Sequence, residues 1–145
     1  MAIELFDPQL VIARLADQVS TLREIGGAAD FEAAVENVPR QLPAAFVIDL
    51  SMTPGPNRDG TGGLSQHTVY RFAVILVLQN LRDARGEAAK ADLRTMRASV
   101  MTALLDWPPA ADFDPIEAGP GRLLQFRDLT LWWQDDYTTR NLLRI

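Results

Sequence analysis

The chain has 145 residues, 14 basic and 19 acidic side chains, a formal net charge of -5 and no cysteine. That length suits a single domain, residues 1–145, able to bury roughly 70% of the surface its unfolded form exposes, so neither a disulfide nor a metal is needed for folding. The lack of cysteine excludes thiolate catalysis, disulfides and cysteine-ligated zinc. The acidic balance argues against a general duplex-DNA binder, which needs a basic excess against the phosphates.

The first seven residues lack the basic stretch and apolar core of a signal peptide. No stretch approaches the ~20 apolar residues that span a bilayer, so the expectation is assembly in a cytosol. Lys90 is the only lysine; the other basic residues are arginines. Arginine suits protein interfaces through planar, bidentate pairing. A GC-rich codon bias produces the same excess, and the two readings stay open.

Along the chain, Asp7 reads as an N-cap with Pro8 at the first helical position. Ile12, Leu15, Ala16, Val19 and Leu22 then form one apolar helical stripe. Gly26-Gly27 closes the element that follows. Asp30 caps a short predicted helix over 31–36 with Phe31, Ala34 and Val35 inward, and 44–50 reads as a short buried strand. Residues 53–64, TPGPNRDGTGGL, form the clearest loop, expected to be mobile and available for docking.

Residues 65–79 read as a long strand with Tyr70, Phe72, Val74, Leu76 and Leu78 on one face and Arg71, Ala73, Ile75 and Val77 on the other. Its second half is apolar on both faces, which requires cover on both sides, from this chain or from another copy. A strong amphipathic helix spans 87–105 through Ala89, Leu93, Met96, Val100 and Leu104, stopped by Pro108-Pro109. Residues 110–121 read as irregular, and two strands follow at 122–126 and 129–145. The pattern predicts an α+β fold: a mostly antiparallel or mixed sheet with the two main helices packed on one face.

Candidate chemistry is sparse. His67 is the only histidine, sits at the polar start of a strand and lies in no signature motif. Asp112 and Asp114 fall in a proline-rich loop, and Asp135 and Asp136 are adjacent in a strand, so they point to opposite faces and cannot jointly chelate. Gly60-Thr61-Gly62-Gly63 precedes a strand, whereas a phosphate loop needs a helix N-terminus. Trp132-Trp133 followed by Asp135, Asp136 and Tyr137 is the most unusual run. Either one tryptophan sits on an open face covered by a partner, or the strand is buried on both faces within the monomer.

Four segments carry a family resemblance: the N-terminal helix through Leu22-Arg23; Pro43-Ala44-Ala45-Phe46-Val47 with the Pro56-Asn57-Arg58 loop; residues 77–86, VLQNLRDARG; and Leu105-Asp106-Trp107-Pro108-Pro109, then Gly121-Arg122-Leu123-Leu124, then Leu131-Trp132-Trp133-Gln134-Asp135 with Tyr137. In this order they resemble the tail terminator, or tail completion, proteins of long-tailed bacteriophages and prophages. The resemblance implies a structural virion protein, not an enzyme, with no cofactor and no metal. It implies a homohexameric ring that caps the head-proximal end of the tail tube, stops tube polymerisation and offers a surface for head joining. Its partners would be itself, the major tail tube protein and a head-completion or connector protein, with no membrane and no specific nucleic acid. Its place would be the virion tail, assembled in the host cytoplasm.

The protein-interface candidates are Arg58, Arg71, Ile75, Val77, Arg82, Trp132, Trp133, Asp135, Asp136 and Tyr137. The rival readings are another head–tail connector or tail-tube-associated protein, and a small enzyme or ligand-binding domain with a pocket around His67 and an aspartate pair.

Overall fold

The computed structural model describes residues 3–39, 41–79 and 87–145, without the side chains of 87–91. Helix α1 (Pro8–Gln18) starts as its sequence dictates: the Asp7 carboxylate accepts the Gln9 N–H, and Pro8 occupies the first turn. Strand β1 (Glu24–Gly26) and helix α2 (Ala28–Glu36) follow, then β2 (Ala44–Pro54), β3 (Ser65–Gln79), α3 (Glu87–Leu104), β4 (Glu117–Arg127) and β5 (Thr130–Arg144). The strands form one five-stranded sheet in the order β1-β2-β3-β5-β4. Only the β1–β2 pair is parallel. This is the α+β architecture the sequence pattern predicts.

Strand alternation sorts the apolar residues onto two faces. Tyr70, Phe72, Val74, Leu76 and Leu78 of β3 join Leu131 and Tyr137 of β5 and Ala45 and Val47 of β2 in the main core. Helices α1 and α3 cover it with Val11, Leu15, Leu93, Met96, Val100 and Leu104. The N-terminal segment crosses the same face: Phe6 stacks on Phe72 at 4.9 Å between ring centroids, and Asn141 Nδ2 donates to the Glu4 carbonyl. On the opposite face Ala44, Phe46, Ile75, Val77 and Trp132 form a second cluster under Phe31 and Ala34 of α2.

That second cluster decides between the two covers the sequence leaves open. The apolar surplus on the far face of β3 is covered by α2, so the two-faced burial of this strand does not require a neighbouring copy. Trp132 meets Phe31 edge to face at 6.1 Å.

Other differences have local causes. In α1 the buried stripe is Val11, Leu15 and Val19, with Leu22 beyond the helix, while Ala16 is exposed. Helix α2 begins at Ala28, and Asp30 acts from inside its first turn, accepting the Gly27 N–H. Val35 points outward, because only Phe31 and Ala34 face the sheet.

Strand β2 runs four residues beyond the predicted 44–50, and β4 starts five residues before the predicted 122. Pro120 is tolerated in β4 because this strand is a sheet edge. The β4–β5 connection is a two-residue turn in which Asp128 and Leu129 both have positive φ, 53° and 61°. Such a turn matches strand twist but strains a leucine.

Candidate functional site

The adjacent acids Asp135 and Asp136 do point to opposite faces. Asp135 lies under α3, where Arg97 grips it with two hydrogen bonds, Nε to Oδ2 and Nη2 to Oδ1, both 2.9 Å. The Trp133 indole N–H donates to Asp135 Oδ1 at 3.0 Å, and the Arg97 guanidinium stacks 4.5 Å from the Trp133 ring centroid. These hydrogen bonds hold the Arg97 guanidinium above its ordinary range. Beside this group, burial first, and then the Asp135 charge, raise the Tyr137 phenol. A Cβ on Gly121 would collide with Asp135 Oδ1, so β4 passes over the cluster because residue 121 is glycine.

Asp136, on the other face, accepts from Gln134 Nε2 at 2.8 Å and has Arg122 at 3.6 Å. Both acids are thus held by nearby side chains, and Ile75, Val77, Trp132, Asp135, Asp136 and Tyr137 are all buried within the monomer. Trp133 is half-buried. Arg58 and Arg71 are exposed on the loop and on β3. Arg82 lies outside the described residues.

His67 is exposed at the start of β3. Asp112 and Asp114 are exposed in the loop before β4, where the Asp114 carbonyl accepts from Thr139 Oγ1. Neither aspartate pair comes together with His67, and among the described residues no three His, Cys, Asp or Glu side chains group to hold a metal.

The 53–64 segment is tied down by its own side chains. Asn57 Oδ1 accepts from the Asp59 and Ser65 amides, and Asp59 Oδ1 from the Thr61 amide and hydroxyl. These last bonds lower the Asp59 carboxyl. Gly55 and Arg58 amides reach the His67 and Ser65 carbonyls, and Leu64 pairs with Ile145. The segment is a hydrogen-bonded turn closing β2 onto β3.

An opening of about 500 Å³ lies between α3 and the ends of β2 and β3 and mixes Arg23, Asp92 and Thr95 with Leu42, Leu78 and Met96. Its hydroxyls are engaged: Ser99 Oγ donates to the Thr95 carbonyl and Thr21 Oγ1 to Met96 Sδ. No nucleophile–base pair forms there among the described residues.

The more informative surface is the free edge of β4. Every residue of this strand is exposed except the half-buried Phe126. A bulge between Leu123 and Gln125 adds an extra residue, leaving Leu123 at 52% and Leu124 at 40% exposure. Arg122 and Arg127 flank them.

A family model described as phage tail terminator protein matches residues 1–145. The chain belongs to the phage tail terminator family. Its role is therefore structural and lies in the phage tail. No curated protein matches the chain at a significant level. For a tail terminator, surfaces matter more than pockets. The interface candidates of the sequence lie on the 53–64 loop, on β3, at Arg82 and on the tryptophan strand, and not on β4. The exposed leucines of β4 were visible only as part of Gly121-Arg122-Leu123-Leu124, and the signal that could have marked them as edge residues was Pro120, which has no N–H to give a neighbouring strand.

Proposed function

We propose that this tail terminator closes into a ring of identical subunits on the head-proximal end of the tail tube, stops tube growth there and presents a surface for head joining. It acts by assembly and performs no catalysis. The observation that carries this reading is the β4 edge: an exposed strand of 11 residues with unpaired backbone groups and two adjacent exposed leucines. The whole-chain family match supports the setting.

A ring needs a head-to-tail contact that closes. With six copies, the number the family resemblance implies, the 16.1 kDa chain gives a ring of about 97 kDa. Light scattering at high protein concentration, with and without tail tube protein, tests it. The reading expects a closed species of that mass in at least one condition. A chain that stays monomeric in both leaves the proposal without its mechanism.

A further inference from the structure

The two ends of the sheet carry matched surfaces. At one end, β4 presents Leu123 and Leu124 between the exposed Arg122 and Arg127. At the other end, α2 lies over β1 and β2. It presents Val35, 61% exposed, on the same outer side as Glu32 and Glu36, and Val38, 50% exposed, follows directly. Glu24 of β1 and Asp30 add further exposed acids at this end, where Arg23 is the basic residue among those described. The β4 end carries two exposed arginines, with the acids Glu117 and Asp128 at the ends of the strand; among the described residues the α2 end is mainly acidic.

The sheet order fixes this separation, since β1 and β4 are its two edges. The two charged sets also share a sheet face. Gln125 and Arg122 pair with Trp132 and Gln134, whose face is the one α2 covers, and Arg127 follows Gln125 by two residues.

Resting on the ring reading above, we propose that the β4 edge of one subunit docks on the α2 surface of the next, with Arg122 and Arg127 facing Glu32 and Glu36 and the bulge at Leu124 against Val35; Leu123, paired with Trp133, lies on the other sheet face. The occupant of the β4 edge is a second copy of this chain. The contact is heterologous, because each subunit offers two different surfaces at opposite ends, and repetition of it generates a ring or a filament rather than a closed dimer. Matched charges fix partner and register, and the apolar contact at the bulge excludes water beside them. Arg122 has its Asp136 neighbour at 3.6 Å but remains over half exposed, so it can reach a partner carboxylate.

Charge reversal tests this directly. One variant carries Arg122→Glu and Arg127→Glu, the other Glu32→Arg and Glu36→Arg. All four positions are exposed, and circular dichroism verifies that each variant folds. Each variant alone repels its own kind, and its self-association weakens at least tenfold against the unaltered chain. An equimolar mixture restores assembly, because each reversed surface then meets an opposite charge on the other variant. The copies alternate around the ring, which closes only with an even number of subunits.

Reversals that leave self-association unchanged overturn the proposed contact while the ring reading stands. Loss in both variants without rescue on mixing overturns it too, since the two surfaces then do not face each other. Failure of the unaltered chain to assemble, alone or with tube protein, removes the ring reading itself.

Discussion

Arg97 and Asp135 form a pair whose two members should not be equally costly to remove. In Arg97→Ala the Asp135 carboxylate, with 3% of its side chain exposed, keeps the Trp133 indole N–H as its side-chain donor among the described residues. Breaking a buried pair this way costs about 3–5 kcal/mol, and the stacking lost over Trp133 adds about 0.5–1 kcal/mol. A loss of about 4 kcal/mol follows. In Asp135→Ala the stranded group is Arg97, 28% exposed on a long side chain that can turn toward water. The cost then falls to about 2 kcal/mol, much of it from the orphaned indole N–H. Urea unfolding reads the difference: with a slope of about 2 kcal/mol/M, the midpoint drops by about 2 M for Arg97→Ala and about 1 M for Asp135→Ala. Protein concentration must be held in a range where the midpoint does not depend on it, because assembly adds stability of its own. Equal losses, a reversed order, or a loss under about 0.5 kcal/mol for either variant would refute the burial argument.

Three further outcomes follow from the same packing. Gly121→Ala places a Cβ on Asp135 Oδ1 and should cost about 1–3 kcal/mol, with the indole fluorescence of the Arg97–Trp133 contact altered; an unchanged midpoint would show that β4 yields freely. Trp132→Ala should cost about 3–5 kcal/mol in monomer stability by emptying the cluster under Phe31, and a variant that stays fully stable yet fails to assemble would place this side chain outward. Asp49 is exposed on β2 but partly shielded; this partial burial first, and the neighbouring Asp7 charge second, raise its carboxyl in the folded chain, so its ionised form opposes folding slightly at neutral pH. Asp49→Asn should therefore be more stable than the unaltered chain at pH 7, and the gap should close as the pH falls through the raised folded value toward 3.8, where the aspartic acid becomes neutral; a gap that widens on acidification contradicts the assigned cause.

The sequence pattern was most legible where one period dominates. Strand β3 occupies the predicted 65–79, and α3 ends within one residue of the predicted boundary. The faces of β5, with Leu131, Trp133, Tyr137 and Leu143 on one side, follow from alternation alone. The short helix α2 was harder to read for what it does. Its pattern shows a helix but not which strands it lies against, so the burial of Ile75, Val77 and Trp132 could as well have been supplied by another copy. Strand β4 was read late because Gly119, Pro120 and Gly121 disfavour a central strand, and nothing local says that an edge tolerates them. The turn chemistry of 53–64 was legible as residue types, but its hydrogen bonds to Ser65, His67 and Ile145 depend on how the strands meet. The exposed leucines of β4 owe their position to a bulge, which alternation cannot reveal.

The most direct test of the terminator account is tube growth itself. Tail tube protein polymerised with this chain, and viewed by electron microscopy with the chain labelled, should give tubes that stop lengthening and carry a six-fold ring of label at one end only. Tubes that grow as long as those formed without it, with label at neither end, would contradict the account.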